Sequence, residues 1–123
     1  MRLLGSVPIG RVIFSQRALP AVRPVNHLVD GDQIIFRASL GSAISDQAGL
    51  DDGTVVAYQG DMIDSAARTG WSVVVIGRAR RIPDKSGRYQ LAPHSWLSGT
   101  LEDLIAIHAE IVTGFRLVSI AQR

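Results

Sequence analysis

Arg23 and His27 fall on one face of an extended run, and Arg37 lies on the run that follows a short turn. Just past Arg37, the segment Ala38-Ser39-Leu40-Gly41-Ser42 offers hydroxyls, a glycine that lets backbone approach closely, and a start for a helix. Cationic forks, hydroxyls and free amides are the components of an anion site. The same arginines would equally suit the solvated face of a half-buried hairpin. No other constellation suggests chemistry carried by side chains alone. His27, His94 and His108 lack the spacing of a metal site, and neither a Gly-x-Ser-x-Gly elbow nor a glycine-rich phosphate loop occurs. Cysteine is absent, which excludes a disulfide scaffold, a zinc ribbon, an iron–sulfur cluster and a thiol nucleophile. If the protein is an enzyme, the hard step falls to a cofactor.

The elements that must position these residues are separated by turn signals and mostly follow a period of two. Residues 10–15 (GRVIFS) form a short β-branched and aromatic run. In residues 20–29 (PAVRPVNHLV), Val22, Pro24, Asn26 and Leu28 face one way and Arg23, Val25, His27 and Val29 the other. Asp30-Gly31-Asp32 is a hairpin turn, and residues 33–38 return with Ile34 and Phe36 on one face, Ile35 and Arg37 on the other. Residues 39–50 lose the alternation, which predicts one or two helical turns beginning near Ser42. Residues 54–58 and 71–82 predict further strands separated by a polar loop at 60–70. Gly77 within the second strand suggests a bulge or barrel corner. Residues 83–100 form a long connection. The stretch 104–111 fits a helical stripe and a strand alike. A strand is favoured, because the sheet would otherwise stay unclosed, with a turn at Thr113-Gly114 and a last strand at 115–118. Roughly six short strands with little helix suggest a small antiparallel barrel.

A chain of 123 residues matches one domain spanning 1–123, and 46% hydrophobic with 20% charged residues is a globular composition. No apolar run approaches the ~20 residues of a membrane helix, and the start does not resemble a signal peptide, so a cytoplasmic protein without a membrane partner is expected. The net charge is +2, and every basic residue but Lys85 is arginine. Only Arg78, Arg80 and Arg81 cluster, and aromatics make up 6%, which argues against nucleic acid as a partner.

Taken in order, Gly10-Arg11-Val12, Pro24-Val25-Asn26-His27, Asp30-Gly31, Phe36-Arg37-Ala38 and Gly41-Ser42 resemble the pyridoxamine 5'-phosphate oxidase-like, flavin-binding split-barrel family, especially its small actinobacterial-type members. Val56-Ala57-Tyr58, Asp64, the run 70–79 (GWSVVVIGRA) and the ending 111–116 (IVTGFR) extend the resemblance from about Leu3 to Leu117. It implies a mostly β protein: a six-stranded antiparallel split β-barrel with short helices, forming a homodimer with flavin sites at the subunit interface. By the family pattern, Arg23, Pro24, Val25 and Asn26 would lie along the isoalloxazine ring, and Arg37, Ala38, Ser39 and Ser42 would approach the ribityl phosphate. Trp71 and Ser72 would sit near the ring or the dimer contact, although Trp71 suits core packing equally well. Family members usually carry a lysine directly after the Gly-Ser step, whereas Ala43 and Ile44 follow here. Losing one charge-assisted contact costs roughly 1.5–3 kcal/mol. The implied activity is that of an FMN-dependent oxidoreductase acting on a small molecule, and nothing specifies pyridoxamine phosphate as its substrate. The alternatives are a deazaflavin, whose acidic tail would suit the arginines, haem held by His27 or His108, and a non-catalytic barrel with a decayed flavin site.

Overall fold

The Asp-Gly turn joins β2 (Leu19–Asp30) to β3 (Gln33–Ser39), with Asp30 opposite Gln33. This hairpin is one corner of a barrel seen in a computed structural model that describes residues 1–84, 87–90, 92–93 and 101–119. Before it come α1 (Arg2–Gly5) and β1 (Ile9–Gln16), and after it α2 (Ala43–Ala48), β4 (Thr54–Asp64), β5 (Thr69–Arg81) and β6 (Glu102–Leu117). The strands close antiparallel in the order β1-β2-β3-β6-β5-β4. His94 and the rest of 94–100 lie outside the described residues.

The period of two sorts side chains as the pattern requires. Val12, Phe14, Ile34, Phe36, Val56, Tyr58, Val73, Val75, Ile105 and Ile107 fill the barrel interior. Ile35, Leu104 and Ala106 point outward and are covered by Ala92, with Leu28, Ile82 and Tyr89 around them. This outer cluster fastens Tyr89 and Ala92, from the connection after β5, to the barrel wall.

Two expectations change, and a third feature is new. The polar loop expected at 60–70 shrinks, because β4 continues to Asp64 and pairs with β5 as far as Thr69. Thr113-Gly114 is not a turn: β6 is one continuous strand, with Thr113 and Gly114 opposite Val74 and Val73. Gly114 serves close approach there, since a Cβ on it would lie 2.9 Å from the Ser72 carbonyl oxygen. The third is α1, which the alternation does not announce and which buries Leu4 completely. The ambiguous segment 104–111 is strand. Gly77 marks a bulge as expected: the register shifts from Ile76↔Ile111 to Gly77↔Ala109, and a Cβ on Gly77 would meet the His108 carbonyl oxygen at 1.9 Å. No helix among the described residues is long and apolar enough to cross a membrane.

Candidate functional site

The barrel opens at the β2–β3 corner. Those strands pair only from Asp30↔Gln33 to His27↔Phe36. β2 nevertheless continues along β1 to Leu19↔Gln16, and β3 continues along β6 to Ser39↔Glu102. The two strands therefore part at a fork, and β-alternation says which backbone groups face the gap. The His27 amide donates to the Pro8 carbonyl on the β1 side, so the even-numbered residues of β2 turn their N–H and C=O toward β3. The Leu40 amide donates to the Leu101 carbonyl on the β6 side, so the odd-numbered residues of β3 turn toward β2. The ladder's last rung is Asn26 with Arg37, beside the His27↔Phe36 pair, and continuing it would next join Pro24 to Ser39. Proline has no N–H, so Pro24 cannot complete that step.

A cleft of about 410 Å³ occupies the fork, which is within the usual range for cofactor pockets. Phe14, Val25, Ala38 and Ile44 give it an apolar floor, and Gln16, Arg23, Pro24, Arg37, Ser39, Ser42 and Ala43 line the rest. The two cations are held differently. Arg23 extends over the Phe14 ring at 5.9 Å and donates from Nη1 to the Val22 carbonyl at 3.0 Å. Arg37 donates from Nε to the Ala92 carbonyl at 3.2 Å and from Nη2 to the Tyr89 carbonyl at 2.9 Å. Neither is paired with a carboxylate among the described residues. Ser42 caps α2, its hydroxyl accepting from the Ser45 amide at 3.3 Å. The buried Ser45 donates to Asp103, which also meets Arg81 at 3.8 Å, so α2 is tied to β5 and β6 at the cleft's edge.

A buried polar joint closes the inner end of the fork. The Tyr58 hydroxyl donates to His27 Nδ1 at 2.5 Å, and Nε2 donates to the Leu4 carbonyl at 2.9 Å. Burial holds the imidazole below its ordinary pKa, hence neutral, and pushes the phenol's pKa up. With both nitrogens occupied inside the barrel, His27 is not free to ligate haem iron. His108 is half exposed and lies 3.6 Å from Asp32.

Arg23, Pro24, Val25, Arg37, Ala38, Ser39 and Ser42, all singled out from the sequence, therefore come together in one cleft. Asn26 stands one step away, opposite Ile9, with its backbone edge toward the fork. Trp71 and Ser72 lie elsewhere. Trp71 is buried in the core opposite Met62, five positions along β5 from the Ile76–Ala57 pair that marks the level of Ile13. Ser72 accepts from Gln59 on the outer wall. Sequence reasoning missed Phe14, Gln16, Ala43 and Ile44. Phe14 and Gln16 continue the inward face of Val12, and Ala43 and Ile44 are the turn after Ser42, so extending both patterns would have found them.

An apolar floor, backbone donors and acceptors along the fork, and two uncompensated cations suit a planar heterocycle with an anionic tail. Residues 1–120 match the sequence profile of the pyridoxamine 5'-phosphate oxidase family. The chain belongs to that family. An uncharacterized protein of Mycobacterium tuberculosis is 47% identical to it over 97% of this chain and 81% of its own length. Among solved structures, an FAD-binding protein from Mycobacterium smegmatis is 27% identical, with a TM-score of 0.74 over 94% of this chain and 90% of that one. An FAD-binding protein from Mesorhizobium loti shares the fold at 24% identity, with a TM-score of 0.74 over 96% of this chain and 91% of that one. The split barrel of the pyridoxamine 5'-phosphate oxidase family is thus the fold of this chain, and its fork is the place where β2 and β3 part.

Proposed function

We propose that this chain is a flavin-binding oxidoreductase that acts as a homodimer on a small organic substrate. The observation that carries this reading is the β2–β3 fork, where unladdered backbone edges and two uncompensated arginines share one cofactor-sized cleft. Arg37, Ser39 and Ser42 would hold the phosphate end, and residues 23–26 would present backbone groups to the polar rim of the ring. A bound flavin supplies hydride or single-electron exchange at its isoalloxazine ring. The chain's own residues bind the cofactor, orient it and exclude water over Phe14 and Ile44.

The dimer belongs to the same proposal. Val55, Ile63, Ile76, Ile111, Phe115 and Leu117 are exposed on the outer face of β4, β5 and β6, an apolar patch of the kind that marks a protein contact. Ser72 lies in that face, and Trp71 borders it from the core side. The sequence resemblance favours FMN, and FAD is what the named Mycobacterium smegmatis relative binds. Purified protein should show the yellow flavin absorption, or should quench the fluorescence of added FMN or FAD on binding. Colourless protein indifferent to micromolar FMN, FAD and deazaflavin would refute the reading. A second reading, a carrier without turnover, draws support from Ala43 standing where the family usually has lysine. Tight flavin binding with no oxidation of a nicotinamide donor would select it.

A further inference from the structure

Asp30 looks like a turn residue and nothing more in the sequence, yet both oxygens of its carboxylate are used. Oδ2 accepts from the Tyr89 hydroxyl at 2.7 Å, and Oδ1 accepts from Arg88 Nη2 at 2.9 Å. The Tyr89 amide in turn donates to Asp84 Oδ1 at 3.1 Å. Tyr89 is thereby fixed at both its ring tip and its backbone, and its carbonyl is one of the two that hold Arg37. The other belongs to Ala92, which is buried against Ile35, Leu104 and Ala106.

We infer that Asp30 and Tyr89 are positioning residues for Arg37, and through it for the anionic end of the ligand; this rests on the flavin reading above. A guanidinium has five N–H donors in one plane. Donation from Nε and Nη2 to two fixed carbonyls sets that plane and leaves Nη1 without a partner among the described residues. Carbonyls carry no net charge, so the grip orients the cation without neutralising it. An arginine held this way has already given up most of its rotamer freedom before the ligand arrives. A free side chain would surrender that freedom on binding, at a cost of about ten-fold in affinity. The hydroxyl of Tyr89 also holds the Asp30 carboxyl below its ordinary pKa, with Arg88 adding to the effect, so the latch stays charged at neutral pH.

The test titrates FMN and riboflavin, which differ by the phosphate, into the full chain and its Tyr89→Phe and Asp30→Ala variants, following flavin fluorescence. Tyr89→Phe keeps the ring on the outer apolar cluster and the carbonyl toward Arg37, and circular dichroism checks that each variant folds. FMN should weaken by about ten-fold in both variants while riboflavin stays within about two-fold. Asp30→Glu should recover part of the loss. In an Arg37→Gln background, Tyr89→Phe should cost nothing further, because its effect passes through the guanidinium. Parallel weakening of both flavins, no weakening of either, or an undiminished Tyr89→Phe effect in the Arg37→Gln background overturns the latch and leaves flavin binding standing. A wild-type chain that binds neither flavin removes the flavin reading and the latch together.

Discussion

Replacing Tyr58 by phenylalanine removes one buried hydroxyl and leaves the ring where it is. The ring is fully buried, stacks near Phe36 at 6.4 Å and meets the His27 imidazole edge-on at 5.2 Å, contacts that phenylalanine keeps. What it loses is the donor to His27 Nδ1, a nitrogen on a residue only 4% exposed. An orphaned buried acceptor costs about 1–3 kcal/mol. For a domain of this size that is a fall in Tm of roughly 4–15 °C, read by circular dichroism. His27→Leu removes the orphan and leaves the Leu4 carbonyl with only the Val7 amide at 3.4 Å, so the double variant should be less destabilised than the two single costs added. A pH arm tests the protonation state. Burial lowers the folded-state pKa of His27, so below about pH 6.5 the unfolded chain takes up a proton that the folded chain refuses. This group's contribution to stability should therefore decline with acid, by at most ~1.4 kcal/mol per pH unit, until the folded pKa is reached. His27→Leu should lack that component of the slope. A Tyr58→Phe protein with an unchanged melting midpoint would refute the argument for a dry, fully paired joint, as would a His27→Leu variant with the wild-type pH slope.

Ala43→Lys restores the charge that the family usually places after the Gly-Ser step, at a position that lines the cleft. FMN should tighten by about ten- to a hundredfold with riboflavin unmoved, measured by fluorescence titration. Gly77→Ala puts a methyl group into the His108 carbonyl across the bulge, which should destabilise the fold by about 1–3 kcal/mol in urea titrations. Phe115→Arg plants a charge in the apolar outer face, so the mass by light scattering should fall from twice 13.3 kDa to 13.3 kDa.

Local periodicity carried much of the fold. The opposed faces of residues 22–29, the return at Asp30-Gly31 and the alternate placement of Ile35 and Arg37 follow from side-chain period alone, because each depends on neighbours a few residues apart. The helical turns after Ser42 follow from the cap, and the bulge at Gly77 from a missing Cβ. Legibility stopped where the decisive partner is distant in the chain. Thr113-Gly114 has the composition of a turn, and only the length of β5 opposite keeps it extended. The His27–Tyr58 bond joins residues that meet once the barrel closes, and Arg37 finds its carbonyls at Tyr89 and Ala92 across a long connection. Residue type and alternation already grouped Arg23 and Arg37 with residues 38–42; family resemblance added Pro24, Val25 and Asn26 and divided the set between ring and phosphate. It also gathered Trp71 and Ser72, which within one chain stand away from the cleft.

The location of the cleft has a cause in β2 itself. A strand inside a barrel must satisfy two edges. The edge of β2 toward β1 is served by odd-numbered residues, all of which keep their amides from Leu19 to Val29. The edge toward β3 is served by even-numbered residues, and there Pro20 and Pro24 have no N–H to give. The Val22 carbonyl on that edge is taken by Arg23, and the Ser39 carbonyl opposite is taken by the Ser42 amide as the chain turns into α2. Both strands thus reach the fork with too few matching groups to zip further. The last rung is Asn26 with Arg37, which flanks the His27↔Phe36 pair; beyond it the Pro24 carbonyl and the Ser39 N–H face the gap with no cross-strand pair between them. Backbone groups in that position need a partner, and a heterocycle with alternating donors and acceptors on its rim meets the requirement better than an apolar ligand would. The two prolines that prevent the barrel from sealing are what make this corner, and not the fully laddered β4–β5 wall, the place for a ligand.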